Sequence, residues 1–214
     1  MFKQESNQIR TFFITWMVLI CIYTVNSPVH FLILNTFLAY IPIELSFLIN
    51  HPKIKNGAGF WPIGLIWLLF YPNTPYLLTD LIHLSLLSPY NAQGLIKLST
   101  TLWINYTFLI VSAIGCALIG FHSLIKIAHI LAFKLNCKTS IIIIGLTLLS
   151  SIGVYIGRFL RIHTIYLFIS PRLFIMPLIH MWTTKMIIFV LLFTFIQLFI
   201  YWVIKLIIHD QAIS

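Results

Sequence analysis

Long apolar stretches alternate with short polar ones along the whole chain. The apolar runs fall at residues 11–25, 29–50, 58–72, 98–120, 141–156 and 186–208. A helix rises about 1.5 Å per residue, so about 20 apolar residues cross a hydrocarbon core about 30 Å thick. Each run is read as a crossing helix, which makes the fold all-α and integral to a membrane, with six spans. The 58–72 run is short, and crosses only with some thinning of the bilayer. The first run is followed by Asn26-Ser27-Pro28, which offers no small-residue cleavage site, so it is read as an uncleaved span. Ile20 before Cys21 likewise argues against lipoprotein processing. After residue 120 an amphipathic surface continuation carries His122, Lys126, His129 and Lys134. Residues 162–184 are apolar but contain Pro171 and Pro177, and are read as packing in the interface. No repeat or linker interrupts the pattern, so residues 1–214 are read as a single polytopic domain.

The pattern breaks most sharply at Phe70-Tyr71-Pro72-Asn73-Thr74-Pro75-Tyr76-Leu77-Leu78-Thr79-Asp80-Leu81-Ile82-His83-Leu84. Pro72 and Pro75 lack a backbone donor and disfavour helical angles in the residue before them. Asn73 or Thr74 is then expected to cap a new helix with Pro75 at its first position, and Ser88-Pro89 to end it. The result is a short interfacial or re-entrant helix over residues 75–87, after the third span. On such a helix Tyr76, Asp80 and His83 share one face, with Thr79 alongside.

Composition excludes a water-soluble fold. The chain is 60% hydrophobic and 8% charged, against about 25% charged in soluble domains. Thirteen Lys and Arg against four acids give a net charge of +9. Because these bases flank apolar runs, the excess is read as orientation by the positive-inside rule and attraction to membrane lipids, with no role for nucleic acid. With six spans it puts both termini in the cytoplasm. Cys21, Cys116 and Cys137 are scattered, without metal or redox spacing, and no cofactor motif is present.

Candidate chemistry centres on Asp80. An ionised carboxylate at bilayer depth costs about 2.5–3.5 kcal/mol on insertion scales and requires a partner or a purpose. Asp80 with His83 one turn on is a candidate for proton transfer, and equally for a structural pair with Arg158. Parity places Asp80 and Arg158 on the same side, so they are expected within salt-bridge or single-water reach. Arg158 and Arg161, with Tyr155 a turn earlier, form a candidate anion clamp, or else snorkel at the interface. Asn73, Tyr76 and Thr79 complete the candidate ligand-binding set. Two potential ligands, Asp80 and His83, do not make a metal site. Glu44 is read as snorkelling near His51 and Lys53, and Asn35 as an interhelical hydrogen-bonding group.

Three stretches together resemble a known family. They are Asn35-Thr36-Phe37-Leu38-Ala39-Tyr40-Ile41-Pro42, the Phe70–Leu84 stretch above, and Gly157-Arg158-Phe159-Leu160-Arg161. The chain is similar to the bacterial membrane proteins grouped as domain of unknown function thirteen-sixty-one. It departs from them after Arg161, where Ile162-His163-Thr164-Ile165 stands in place of Asn-Ser-Trp-Asp. The resemblance implies a fold and a bacterial cytoplasmic membrane, and no activity.

Three functions stay open. The first is binding or processing of an anionic lipid-linked substrate at the outer face, with Arg158 and Arg161 on the anion and Asp80 and His83 moving protons. The second is a non-catalytic membrane subunit or assembly factor whose polar motif is a structural lock. The third is a small transporter, for which broken helices are the pointer.

Overall fold

The computed structural model describes residues 2–160 and 171–211. Among these residues the structure is helical, with no strand beyond an isolated Tyr90–Ile96 bridge. The helices are α1 (Phe2–Thr24), α2 (Phe31–Ile49), α3 (Pro52–Lys55), α4 (Phe60–Phe70), α5 (Asn73–Asp80), a 3-10 helix (Leu81–Leu87), α6 (Thr100–Leu135), α7 (Thr139–Tyr155) continued by a π-helical turn (Ile156–Leu160), α8 (Pro171–His180) and α9 (Thr184–Gln211). Among the described residues, four helical stretches are long and apolar enough to cross a membrane: Phe31–Ile49, Thr100–Leu135, Thr139–Leu160 and Thr184–Ile207. The first and third expected spans are not among them. Helix α1 begins at Phe2, so the polar residues up to Arg10 fill its opening turns, and α4 has only 11 residues.

The chain forms two compact units, Met1–Gly120 and Phe121–Ser214, and α6 contributes to both. Helix α6 was expected to end its crossing at Gly120 and continue along the surface, but it is one helix of 36 residues. Gly120 does not terminate it, because the missing side chain serves a contact. A Cβ there would overlap Thr74 Cγ2 and lie 3.0 Å from Thr74 Cβ.

In the first unit, α1 and α2 form an antiparallel hairpin. Its turn is tied by Ser27, whose hydroxyl accepts from the Val29 amide (3.2 Å) and donates to Asn105 Oδ1 on α6 (2.8 Å). Helix α1 also runs antiparallel to α6. Trp16 Nε1 donates to Ser112 Oγ at 2.9 Å, and Phe12 packs where Gly115 leaves room.

Proline chemistry sets the next element. Pro72 has no N–H, so α4 cannot close its bond onto the Leu68 carbonyl, and the helix gives way at Tyr71. The break is narrower than the sequence implies. Tyr71 keeps helical angles (φ −54°, ψ −38°) although it precedes a proline. The Thr74 amide donates to the Tyr71 carbonyl (2.9 Å), the group that Pro75 cannot serve. Neither Asn73 nor Thr74 caps α5. Pro72 holds the cap position without a side-chain bond, and Asn73 Nδ2 turns back to the Phe70 carbonyl (2.9 Å).

Helix α5 is buried. Leu77 packs with Phe13 of α1, Ala39 and Ile43 of α2, and Ala113 and Cys116 of α6. Thr74 Oγ1 donates to the Ala39 carbonyl (3.1 Å), so α5 runs antiparallel along α2. At about 1.5 Å per residue, α4 and α5 add about 17 and 12 Å, together matching the roughly 29 Å of α2.

In the second unit, α7 and α9 pair through a buried polar seam of Thr147 and Ser151 against Thr194 and Gln197, and Ser150, next along α7, is buried too. Nearer the end of α7, Met181, Met186 and Val190 form an apolar cluster with Tyr155, Ile156, Leu160 and Leu178. Of the segment expected in the interface, residues 162–170 lie outside the described residues, and Pro171–His180 is helix with Pro177 inside it.

Gly120→Ala should lower the melting temperature of the purified protein by several degrees, since overpacking costs about 1–3 kcal/mol. Gly145→Ala on α7, where a Cβ meets nothing within 4 Å, should not lower it. Equal melting curves for the two variants would contradict the close α5–α6 contact.

Candidate functional site

Asp80 closes α5 with no exposed surface. One turn from the start of α2, Asn35 Nδ2 donates to Asp80 Oδ2 at 2.7 Å. The interhelical role expected of Asn35 is therefore met, with Asp80 as its acceptor. A carboxylate hydrogen-bonded in this way is retained in an apolar bundle because the charge-assisted bond offsets part of its desolvation.

His83 follows on the 3-10 helix. Its Nδ1 lies 3.1 Å from the Asp80 backbone carbonyl and 3.7 Å from Asp80 Oδ1. A carbonyl only accepts, so Nδ1 carries the proton and bonds the backbone. The carboxylate is beyond ordinary hydrogen-bond length. The ring packs on Phe31 of α2 with centroids 4.5 Å apart. His83 keeps 29% of its side chain exposed, whereas that of Asp80 is sealed. Ala39 with Thr74, Asn35 with Asp80, and Phe31 with His83 thus form three successive rungs, at i, i+4 and i+8 along α2.

The remaining candidates are placed within their own units. Asn73 is committed to the Phe70 carbonyl, and Thr79 Oγ1 to the Tyr76 carbonyl (2.6 Å). Tyr76 is partly buried. Arg158 lies partly buried in the π-helical turn of the second unit. Tyr155 packs against Phe159 with the rings tilted by 37° and their centroids 4.9 Å apart. Arg161 and His163 lie outside the described residues. Among the described residues, no three His, Cys, Asp or Glu side chains converge as metal ligands would.

Glu44 requires a correction. It does not snorkel beside His51 and Lys53. Arg10 of α1 grips it with a two-pronged fork, Nε to Oε2 at 3.0 Å and Nη2 to Oε1, and Tyr40 donates to Oε2 at 2.7 Å. The Arg10 guanidinium also lies 5.6 Å from the Phe47 ring centre. Arg10 was overlooked because it precedes the apolar run, although the hairpin places it beside Glu44. Both side chains are about two-fifths exposed (41% and 39%), so the fork contributes little, on the order of 1 kcal/mol or less. The Thr147–Ser151 and Thr194–Gln197 seam was also missed. Its signals were a Ser-Ser pair and a lone Gln, each deep inside an apolar run.

A double-mutant cycle on Asn35→Ala and Asp80→Ala should give a coupling of about 1–3 kcal/mol by equilibrium unfolding in detergent. Arg10→Ala with Glu44→Ala should couple less, and its coupling should shrink as salt is raised. Additivity at Asn35 and Asp80 would contradict the geometry described.

No curated protein and no solved structure matches the chain. One family does match, over residues 34–200, with the description "Protein of unknown function (DUF1361)". That span holds all but the first three residues of α2, the broken α4–α5 pair and the Asn35–Asp80 bond. The chain therefore belongs to the DUF1361 family of proteins of unknown function.

Proposed function

We propose that this protein is a non-catalytic, multi-pass protein of the bacterial cytoplasmic membrane, a membrane subunit or assembly factor whose polar motif is a structural lock. The observation that carries this reading is the complete burial of Asp80 with Asn35 as its donor. A carboxylate that moves protons for a substrate needs access to it, and Asp80 has none in this state. In this reading the lock holds α5 against α2 after the proline break.

The same proposal has six crossings. Helix α1, paired along α2 and α6, supplies one, and α4 with α5 together supply another. With the N-terminus inside, the inner side carries Lys3, Arg10, Lys53, Lys55, Lys126, Lys134, Lys138 and Lys205, and the outer side Lys97, Arg158, Arg161, Arg172 and Lys185. Eight against five puts both termini in the cytoplasm. Asn35 and Asp80 then lie in the outer half of the first unit.

A second reading draws on the partial exposure of His83 beside Asp80. In it, an anionic lipid-linked ligand is bound or processed at the outer face, and opening of the lock frees Asp80.

Two measurements decide these points. In a cysteine-free background, an impermeant maleimide applied to intact cells should label a cysteine at Asn91 and spare one at His209; the reverse pattern would overturn the orientation. In native mass spectrometry with a polyprenyl pyrophosphate, the lock reading expects no retention that depends on Arg158. Retention abolished by both Arg158→Ala and Asp80→Asn, in variants of wild-type melting temperature, would replace it with the second reading.

A further inference from the structure

The polar seam between α7 and α9 is hydrogen-bonded on one side and open on the other. Gln197 Nε2 donates to the Thr147 carbonyl (3.2 Å) and to Ser151 Oγ (2.7 Å). Thr194 Oγ1 donates to Ser151 Oγ (2.8 Å), and Ser151 Oγ donates to the Thr147 carbonyl (2.9 Å). The orientation of the Gln197 amide is therefore fixed. The Thr147 carbonyl only accepts, so the NH2 group must face it, and Oε1 must point elsewhere. Gln197 Oε1 is buried without a hydrogen-bond partner, and so is Ser150 Oγ on the facing helix. Gln197 and Ser150 have no exposed surface. Such a site is costly to leave empty, because an unserved buried polar group loses its full hydration.

The position sharpens the requirement. Gln197 lies about 20 Å along α9 from Thr184 and about 15 Å from Ile207, near the middle of the apolar stretch. Neither α7 nor α9 between residues 186 and 204 carries a charged side chain. An ion would find no counter-charge on these helices. A neutral group with an O–H to give fits both open atoms, donating to Gln197 Oε1 and exchanging a hydrogen bond with Ser150 Oγ.

We propose that the α7–α9 seam is a binding site for one neutral hydroxyl at the centre of the second unit, held by Gln197 Oε1 and Ser150 Oγ. Its source is a water molecule or the hydroxyl of a lipid or other small neutral molecule. The site is independent of Asp80 and of the function proposed above.

Ser150→Ala tests it through the sign of the effect on the full-length protein in lipid nanodiscs. Alanine is the better helix former, and removing a hydroxyl that has no partner relieves a buried cost. If the site were empty, Ser150→Ala would leave the melting temperature unchanged or raise it, and that result overturns the proposal. If the hydroxyl is held, the melting temperature falls by a few degrees. Should Ser150→Ala not fold, Ser150→Thr, which keeps the hydroxyl, must fold and melt above Ser150→Ala when both are compared in the cell membrane; failure to do so overturns the proposal too. Native mass spectrometry of the wild type then separates the sources. An added mass absent from Ser150→Ala identifies an organic hydroxyl, and a fall in melting temperature with no added mass identifies water.

Discussion

An apolar bundle has no water with which to satisfy a backbone that loses a hydrogen bond, and Pro72 removes one in the middle of it. The rest of the first unit answers that loss. The segment between α2 and α6 is divided into α4 and α5, the Asn73 amide and the Thr74 N–H take the carbonyls at the break, and α5 needs lateral support to stay in line. Thr74 supplies that support twice, through its hydroxyl to the Ala39 carbonyl and its methyl in the space left by Gly120. At the far end of α5, Asp80 and Asn35 supply it again. A run of leucines at these positions would pack, but would not set the register of α5 on α2.

The two units use buried polarity differently. In the first, polar side chains tie one helix to the next: Trp16 to Ser112, Ser27 to Asn105, Asn35 to Asp80. In the second, polar residues gather between two helices; both units leave buried polar atoms without a partner, Thr36 Oγ1, Trp67 Nε1 and Tyr71 Oη in the first and Ser150 Oγ and Gln197 Oε1 in the second. The first arrangement suits a lock.

The apolar runs foretold the helical architecture, because run length and helix rise are tied by geometry. The proline break was also legible at Tyr71-Pro72, but its severity was not. Proline's usual effect on its neighbour was expected to open the chain, whereas packing of α5 against three helices keeps Tyr71 helical. The contact at Gly120 was not legible for a related reason: only the position of Thr74 shows what its missing side chain makes room for. Asp80 stood out as one of four acids, and Asn35 as a polar residue early in the second apolar run. Their pairing needed the antiparallel register of α5 on α2, which no periodicity supplies. The Arg10–Glu44 fork needed the α1–α2 hairpin for the same reason.

The central claim is that Asp80 is sealed and held by Asn35 across the α2–α5 contact. The most direct measurement is the distance between the Asn35 amide nitrogen and the Asp80 carboxylate in an experimental structure determined in lipid. The account predicts direct contact, at the 2.7 Å described above, with no water between them. An Asp80 carboxylate turned away from Asn35 and lining a water-filled pocket would contradict it.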